Sequence, residues 1–221
     1  MRRKFDLALL PPVPNLAFER EFMELGLGLV AGLDEAGRGA WAGPVVAAAV
    51  ILPLERPDLA DVLEGVTDSK KLSPARRETL LERIRSVALA VGIGGAGPGE
   101  VDRDGLIPAT RAAMIRALAG LACQPQALLL DYILLPTVSL PQTSLVKGDA
   151  RSLSIAAASI VAKVHRDRAM VALDAQYPGY CFSRHKGYGT TAHRAALERL
   201  GPSDVHRMSY EPIRLARLQV E

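Results

Sequence analysis

Apolar residues form two nearly continuous runs early in the chain, at 29–33 and 45–52, and both runs contain β-branched side chains. Runs of this kind predict central strands that are buried on both faces of a sheet. The segment between them, 37–44, is rich in glycine and ends in a proline, which is typical of a turn between antiparallel strands. The pattern therefore predicts two neighbouring antiparallel strands.

Further along the chain, the apolar spacing alternates between the periods of strands and helices. A serine cap followed by a proline at the first helical position predicts a helix from Ser73 to Ile84. The remaining predicted elements are a strand at 87–93, a helix at 108–121, a strand at 127–130, an extended stretch that ends at 146, an alanine-rich helix at 152–177 and a helix at 191–200. Three strands followed by strand–helix alternation predict an α/β fold with a mixed sheet.

The composition adds limits to this picture. The chain has 221 residues, of which 49% are hydrophobic, so it can form one domain, or one domain with a small appendage, around a sizeable core. This composition excludes a disordered protein, and no apolar run approaches the ~20 residues of a membrane-spanning helix. The first residues, MRRK, resemble the beginning of an export signal, but an aspartate and three prolines follow where its apolar part would be.

Cysteine usage and charge indicate the environment and the partner. Cys123 and Cys181 share no close spacing, so neither a zinc cage nor a disulfide framework is indicated, and we expect a cytoplasmic protein. The net charge is only +3, but residues 145–221 contain 12 Lys and Arg against 7 Asp and Glu, together with all 4 histidines. This imbalance favours a polyanionic partner such as a nucleic acid, although a solvated basic surface is the simpler alternative.

Four acidic residues follow predicted strands or precede a helix. Asp34 and Glu35 come directly after the first apolar run, Asp131 ends the strand at 127–130, and Asp149 stands just before the long helix. An isolated Asp-Glu pair is most simply a strand that ends in a solvated turn. In an α/β sheet, however, ligands bind at the strand ends where the topology changes. If these ends lie side by side, the four acids form one pocket, which the sequence alone does not prove.

An acidic cluster of this composition has a defined chemistry. It contains no histidine or cysteine, and carboxylate oxygens alone favour Mg²⁺ or Mn²⁺ over zinc. Two such ions are the usual arrangement for the attack of water on a phosphodiester. We therefore expect two divalent cations as cofactors, held by Asp34, Glu35, Asp131 and Asp149.

A second glycine-rich segment, at 92–99, literally matches the dinucleotide-binding pattern G-x-G-x-x-G. A proline and a glycine follow where the phosphate-binding helix should begin, and no acid stands about twenty residues later to bind a ribose. These observations argue against a dinucleotide site. We interpret the segment as a flexible surface loop.

Other residues are suited to contact with a nucleic acid. Gly37 and Gly39 have no Cβ, so their backbone groups can approach a sugar or a phosphate closely. Cations that could bind phosphates, and an aromatic ring that could stack on a sugar or base, are Lys70, Lys71, Arg184, Lys186 and Tyr188. Taken one at a time, each of these side chains is as readily explained as an exposed basic residue or a core tyrosine.

Together, however, these residues resemble a known family, ribonuclease HII, the type 2 RNase H family, over nearly the whole chain from about 29 to 213. The blocks that carry the resemblance occur in the family's order and are GLDEAGRG (32–39), AGPVVAAAV (42–50), DSKKLS (68–73), KGD (147–149), AAASIVAKV with RD (156–167) and HKGYGT (185–190).

The resemblance implies a fold and a division of the chain. The fold would be RNase H-like, with a mixed sheet flanked by helices and a C-terminal helical extension. The implied organisation is an N-terminal extension at 1–28, a catalytic domain at 29–180 and a substrate-binding extension at 181–221. The related type HIII has an additional N-terminal domain, and residues 1–28 are too few to form one.

The resemblance also implies an activity and assigns residues to it. The family hydrolyses the RNA strand of RNA–DNA hybrids and cuts 5′ to single ribonucleotides in duplex DNA, leaving a 3′-OH and a 5′-phosphate. Asp34, Glu35, Asp131 and Asp149 would be the metal ligands. Gly37, Arg38 and Gly39 would sense the ribose 2′-OH through backbone groups, and Tyr188 would pack on the next deoxyribose.

Two other functions remain open at this stage. One is a Holliday-junction resolvase or another nuclease with the same fold and acids, and the other is a basic nucleic-acid-binding module without activity. A monomer without membrane contact is expected. A sliding-clamp partner is possible, but residues 215–221 contain no convincing clamp-binding pattern.

Overall fold

The computed structural model describes residues 6, 8 and 10–218 and contains a five-stranded sheet. Its strands are β1 (Val30–Ala36), β2 (Val45–Ile51), β3 (Ala90–Ala96), β4 (Ala127–Asp131) and β5 (Gln142–Leu145), in the spatial order β3-β2-β1-β4-β5. β2 pairs antiparallel with both β1 and β3, whereas β4 pairs parallel with β1 and with β5. The predicted α/β class with a mixed sheet is confirmed, and β1 lies at its centre.

The helices of the described residues lie mainly on the two faces of this sheet. They are α1 (Ala17–Glu24), α2 (Leu59–Val62), α3 (Pro74–Val87), α4 (Pro98–Asp104), α5 (Leu106–Ala119), α6 (Leu153–Gln176), α7 (Phe182–His185), α8 (Thr191–Leu200) and α9 (Glu211–Leu218). Apolar spacing predicted α3, α5, α6 and α8 to within a few residues. None of the helices described here combines the length and apolar composition of a membrane span.

The small residues of α6 allow this helix to pack closely on one face of β1. A Cβ on Gly32 would lie 2.2 Å from the carbonyl carbon of Ser154, so only glycine fits between the strand and the first turn of the helix. Ala156, Ala157 and Ile160 continue the same contact, and all three are fully buried. This close packing fixes the N-terminus of α6, and the turn before it, against the centre of the sheet.

The glycine-rich segment at 92–99 is not a surface loop, and our interpretation of it was wrong. Gly92 and Gly94 belong to β3, where a Cβ would lie 2.0 Å from the Ala117 carbonyl oxygen or 2.2 Å from that of Ala113. The glycines therefore serve the close approach of α5 to the sheet rather than flexibility. Pro98 then begins α4. β3 itself starts three residues later than predicted, because α3 continues to Val87.

The predicted N-terminal extension contains α1, which is fastened to the beginning of α6. Glu19 is fully buried, and its Oε1 accepts hydrogen bonds from Ser152 Oγ at 2.6 Å and from the Ser154 N–H at 2.9 Å. Burial raises the pKa of Glu19 above its ordinary value in spite of these bonds. The MRRK run and residues 219–221 lie outside the described residues.

The helices α7 to α9 pack around an apolar cluster that they share with α6 and with the segment after β1. Phe182 and Ile213 are fully buried there, together with Met170 from α6 and Ala42 from the segment after β1. The C-terminal segment therefore shares a core with the sheet region at this edge. The domain boundary at 181 stays a prediction.

Candidate active site

The parallel pairing of β1 with β4 brings Asp34 and Asp131 together. Leu33 is paired with Leu130 in the register of these strands, and the next residues along the chain are Asp34 and Asp131. β4 ends at Asp131, whereas β1 continues to Ala36, so Asp34 lies within β1 and the parallel register brings it beside Asp131. Leu33 and Leu128–Leu130 are fully buried, so both strands lie inside the core at this point.

Asp149 reaches the same place from the 3₁₀ turn Gly148–Ala150, which immediately precedes α6. Asp131 Oδ1 accepts a hydrogen bond of 2.8 Å from the Gly148 N–H and so ties this turn to β4. Carboxylate oxygens of Asp34, Asp131 and Asp149 all lie within 4.8 Å of one another. The structure therefore brings three of the four predicted acids into one cluster.

Glu35 lies beside this cluster rather than within it. Its side chain is largely buried, and its Oε1 accepts a hydrogen bond of 3.0 Å from Arg38 Nη1. Its other oxygen, Oε2, is buried and has no hydrogen-bond partner among the described residues. A buried carboxylate oxygen without a partner is costly unless a cation binds it.

Burial raises the pKa of all four acids, and repulsion from neighbouring carboxylates adds to it. Burial is the largest cause for Asp34, whose pKa lies well above its ordinary value, and the charges of Glu35, Asp131 and Asp149 add to the effect. Burial is likewise the first cause of the raised pKa of Glu35, Asp131 and Asp149. The cluster is thus unfavourable as four bare carboxylates.

These observations fit a site for hard divalent cations. The donor set is entirely carboxylate, one buried oxygen lacks a partner, and the like charges need neutralising. The residues that could hold such ions are Asp34, Asp131 and Asp149, with Glu35 supplying its free oxygen from the side.

Lys70 is the cation that contacts Asp149. Its Nζ lies 3.5 Å from Asp149 Oδ2 and 3.8 Å from Asp68 Oδ1. Partial burial by itself would lower the pKa of Lys70, but the charges of the surrounding aspartates outweigh it and raise that pKa. Asp68 was not among our predicted site residues. The sequence signal for it was its position before Ser69, where its side chain caps the 3₁₀ turn by accepting from the Lys70 N–H.

Arg207 stabilises the turn at 37–39 by hydrogen bonds to its carbonyl oxygens. This arginine was not among the residues predicted from the sequence. Arg207 is fully buried, and its guanidinium donates to the carbonyl oxygens of Gly37 (2.7 Å), Arg38 (2.7 Å) and Gly43 (3.0 Å). Gly37 has φ +94°, and a Cβ there would lie 1.8 Å from Arg166 Nε. Gly39 is exposed and has open space on its Cβ side, so its backbone is free to be approached.

Tyr188 lies half-buried above two cationic side chains. The Arg166 Cζ is 5.2 Å and the Lys163 Nζ is 5.7 Å from the centre of the tyrosine ring, within the range of cation–π contacts. The Tyr188 carbonyl oxygen lies 3.1 Å from His193 Nδ1. The backbone and the ring of this tyrosine are therefore both fixed.

Two neutral rings satisfy the hydrogen bonds around His193. A carbonyl cannot donate, so His193 Nδ1 donates to Tyr188, and the neutral His193 then accepts at Nε2 from His206 Nε2, 3.1 Å away. His206 Nδ1 in turn accepts from the Ser203 N–H at 3.0 Å. Burial lowers the pKa of both His193 and His206 to about 4, which agrees with this arrangement.

The remaining predicted basic residues divide between two places. Lys71 lines a cleft of about 790 Å³ together with residues 12–17 and lies apart from the side chain of Lys70. Arg184 is exposed, and Lys186 is half-buried with its Nζ donating to the Ser183 carbonyl. Arg184 and Lys186 line a second cavity, near Tyr188.

Comparison with known proteins gives a consistent answer. A sequence model of the family described as Ribonuclease HII matches residues 31–213. A relative named Ribonuclease HII from Chloroflexus aurantiacus is 51% identical over 209 residues, which cover 95% of this chain and 99% of the relative.

Solved structures with the same fold confirm the predicted RNase H-like architecture. The ribonuclease H2 of Pyrococcus horikoshii OT3 is similar with a TM-score of 0.71 and 26% identity, over 86% of this chain and 97% of that one. The RNase HII of Archaeoglobus fulgidus, solved in a complex with PCNA, is similar with a TM-score of 0.65 and 27% identity, over 83% of this chain and 95% of that one.

Proposed function

The chain belongs to the ribonuclease HII family and is therefore an endonuclease that hydrolyses the RNA strand of RNA–DNA hybrids, and we propose that it also cuts at single ribonucleotides embedded in duplex DNA. Cleavage would occur 5′ to the ribonucleotide and leave a 3′-OH and a 5′-phosphate. Family membership excludes the alternative of a binding module without activity. The observation that carries the proposal is the convergence of Asp34, Asp131 and Asp149 within 4.8 Å.

The proposed cofactors are two divalent cations, Mg²⁺ or Mn²⁺, in a family that depends on divalent metal. Bound ions of this kind supply a reactive water at neutral pH and stabilise the charge on the leaving 3′ oxygen. In this chain, Asp34, Asp131 and Asp149 would hold the ions, together with the free oxygen of Glu35. The Gly148 N–H orients Asp131, and Arg38 leaves one oxygen of Glu35 free.

Recognition of the ribonucleotide is proposed for the turn at 37–39 and for Tyr188. Gly37, Arg38 and Gly39 would contact the ribose 2′-OH through their backbone, and the tyrosine ring would pack on the deoxyribose that follows. The open side of Gly39 supports the first contact. The fixed position of the half-buried tyrosine supports the second.

The predicted division at 1–28, 29–180 and 181–221 and the monomeric state are part of the same proposal. Lys70, Lys71, Arg184 and Lys186 would bind backbone phosphates. The A. fulgidus relative was solved with PCNA, and a clamp partner for this chain stays a possibility without support from its own sequence. Location in the cytoplasm stays a prediction from cysteine usage.

The deciding experiment compares two labelled duplexes, one with a single ribonucleotide and one of DNA alone, in Mg²⁺, Mn²⁺ and EDTA. We expect cleavage of the first duplex only, dependent on metal, with ends that a DNA polymerase can extend from the 3′-OH. Asp149→Asn should remove cleavage while leaving binding to the duplex intact. A four-way DNA junction serves as the alternative substrate.

Two outcomes would contradict the proposal. Cleavage of long hybrids without cleavage at a single ribonucleotide would reject the finer substrate. Near-normal turnover by the Asp149→Asn variant would remove that residue from the metal site. For Tyr188, replacement by Ala should reduce cleavage at a single ribonucleotide more than it reduces stability, whereas replacement by Phe keeps the ring and should retain most activity.

A further inference from the structure

A cavity of about 440 Å³ lies between the first turns of α3, the middle of α6 and α7. Five cationic and two acidic side chains line it, which leaves three positive charges in excess. The charged lining residues are Arg77, Glu78, Lys163, Asp167, Arg168, Arg184 and Lys186. Such an excess of one sign in a partly enclosed space attracts a polyanion.

The inner wall of the cavity is a preorganised group of charges. Asp167 accepts from Lys163 Nζ at 2.7 Å and from Arg77 Nη2 at 3.3 Å, so one carboxylate holds two cations. Arg77 also donates to the carbonyl oxygens of Ser69 at 3.0 Å and Leu72 at 2.8 Å, and only 10% of its side chain is exposed. These contacts fix Arg77 and Lys163 in place and leave one positive charge uncompensated.

The outer wall supplies donors that are still free. Arg184 is exposed, and its guanidinium has no hydrogen-bond or ion-pair partner among the residues that the structure describes. Lys186 uses one N–H on the Ser183 carbonyl. The remaining pair, Arg168 with Glu78, is half-exposed and neutral as a pair. A tetrahedral anion between Arg184 and Lys186 would therefore gain charge-assisted hydrogen bonds without breaking an existing ion pair.

The position of the cavity relates it to the active site. Lys163, on its inner wall, has its Nζ 5.7 Å from the centre of the Tyr188 ring. On the other side, Arg77 bonds to the carbonyl of Ser69, next to the lysine that lies 3.5 Å from Asp149. A strand that runs from the acidic cluster past Tyr188 would bring its backbone to this cavity.

We propose that this cavity binds a backbone phosphate of the substrate duplex, beyond the nucleotide that Tyr188 contacts, with Arg184 and Lys186 as its direct ligands and Asp167 as the residue that positions Lys163. The inference rests on the proposed function. It assigns the proposed phosphate contacts of Arg184 and Lys186 to one cavity with a preorganised inner wall, separate from the metal cluster, that acts on binding rather than on the chemical step.

The test is a chemical double-mutant cycle on binding, measured in EDTA. Duplexes with one ribonucleotide carry a single neutral methylphosphonate, moved one position at a time along each strand. Wild-type protein should lose about tenfold in affinity when the contacted phosphate is neutralised, the size expected for one charge-assisted bond. Arg184→Gln should show the same loss on the unmodified duplex but no further loss at that one position.

Salt dependence and kinetics give independent readouts. Arg184→Gln should reduce the slope of log affinity against log salt by about 1, because one fewer counterion is released. The kcat should stay near that of the wild type while KM rises. Asp167→Asn adds one positive charge to the cavity but leaves Lys163 without the carboxylate that positions it. Overall affinity should therefore not fall, whereas the methylphosphonate effect should spread from the one contacted position to its neighbours. Arg103, an exposed arginine on α4 at the other face of the sheet, provides the control Arg103→Gln, for which no change is expected.

The outcomes separate this inference from the proposed function. If the wild-type protein does not bind or cut the duplex, the proposed function fails. If it does both, yet the effects of Arg184→Gln and of every methylphosphonate are additive, the phosphate site is rejected while the function stands. Equal losses in Arg103→Gln and Arg184→Gln would also reject the site, because the effect would then be one of general charge.

Discussion

The acidic cluster consists of Asp34, Asp131 and Asp149, and the recognition segment consists of the turn at 37–39 and Tyr188 with the side chains that hold them, Arg207, His193 and His206. The two regions are stabilised in opposite ways. In the cluster, strand pairing forces like charges side by side, and burial with mutual repulsion raises the pKa of each acid. In the recognition segment, a buried cation and two neutral histidines have nearly all their polar atoms bonded to backbone groups or to each other. One region is electrostatically unfavourable without its ligand. In the other, most polar atoms are paired within the protein, and Arg38 Nε and Arg166 Nη1 are the buried nitrogens that lack a partner among the described residues.

Substitutions in the acidic cluster should therefore affect activity without a loss of stability. Substitutions in the recognition segment should reduce both. A charge removed from the cluster relieves repulsion, so the loss should fall on catalysis alone. A donor removed from the recognition segment leaves buried carbonyl oxygens unpaired, which costs about 1–3 kcal/mol each, and also releases the groups that contact the substrate. Variants of the two regions should therefore have opposite effects on folding.

The largest expected effect on activity is that of Asp34→Asn. Cleavage of an RNA–DNA hybrid should fall by more than about 100-fold, beyond the range seen when a metal ligand loses only an outer partner. In EDTA at pH 7.5, the free energy of unfolding should rise by about 1 kcal/mol or more, because a buried like charge is removed. Denaturant unfolding and single-turnover cleavage measure the two effects.

Asp104→Asn is the matched control for this variant, since Asp104 is an exposed acid paired with Arg103 at the end of α4. It should change neither quantity. Mn²⁺ should stabilise the wild-type protein by mass action and should stabilise Asp34→Asn much less. A loss of stability in metal-free Asp34→Asn would show that the repulsion argument is wrong.

Arg207→Lys should reveal the opposite behaviour. Lysine keeps the charge but cannot reach the three carbonyl oxygens of Gly37, Arg38 and Gly43 together, so we expect a loss of about 3 kcal/mol in the free energy of unfolding. Affinity for a duplex with one ribonucleotide should fall, whereas the calorimetric affinity for Mn²⁺ should not, because no acid of the cluster bonds to Arg207. Arg214→Lys, an exposed site on α9, is the control.

Loss of Mn²⁺ affinity in Arg207→Lys would break the comparison, since it would mean that the two regions depend on the same contacts. Unchanged stability would show that the carbonyl oxygens find other donors. Either result can be read directly from calorimetry and denaturant unfolding on the same preparation.

A smaller effect is expected from acid on the histidines. Burial lowers the pKa of His193 and His206 to about 4, whereas an unfolded histidine titrates near 6.5. The unfolded chain therefore binds more protons below about pH 6.5, so this contribution to stability is lost as the pH falls from there toward 4. Between pH 7.5 and pH 5 the loss should be about 2 kcal/mol for each histidine that must be charged.

The raised pKa values of the acidic cluster act in the other direction, so the measurement compares wild type with His206→Gln. Glutamine can still donate toward His193 but does not titrate. His185 and Asp204 also act on this pair, and both are present in the two proteins. The wild-type protein should lose more stability than the variant between pH 7.5 and pH 5, and parallel pH profiles would count against the neutral histidine pair.

The smallest expected effect is that of Lys70→Gln, whose side chain is 74% exposed although it contacts Asp149. Exposed ion pairs contribute about 0–1 kcal/mol, so the free energy of unfolding should hardly change. The slope of log affinity against log salt should fall by about 1 if the lysine binds a phosphate. An unchanged slope would assign Lys70 to the acidic cluster alone.

Much of the fold and the acidic residues of the site could be predicted from the chain itself. A continuous apolar run such as Val45–Ile51 is the pattern of a strand that is buried on both faces of the sheet. The Ser73 cap, followed by a proline, marks the start of α3. The acids were predicted from their positions at the ends of apolar segments. Strand burial and helix caps depend on residues that are close in the sequence, so the pattern along the chain is sufficient to predict them.

Only the tertiary structure decided which side chains meet. The register of β1 with β4 brings Asp131 beside Asp34, α5 demands the glycines of β3, and Arg207 bonds to carbonyl oxygens about 170 residues earlier in the chain. Nothing near Arg207 in the sequence distinguishes it from an exposed arginine. The partners of a buried charge depend on distances in three dimensions, and these are set by the packing of helices on the sheet, which no local pattern contains.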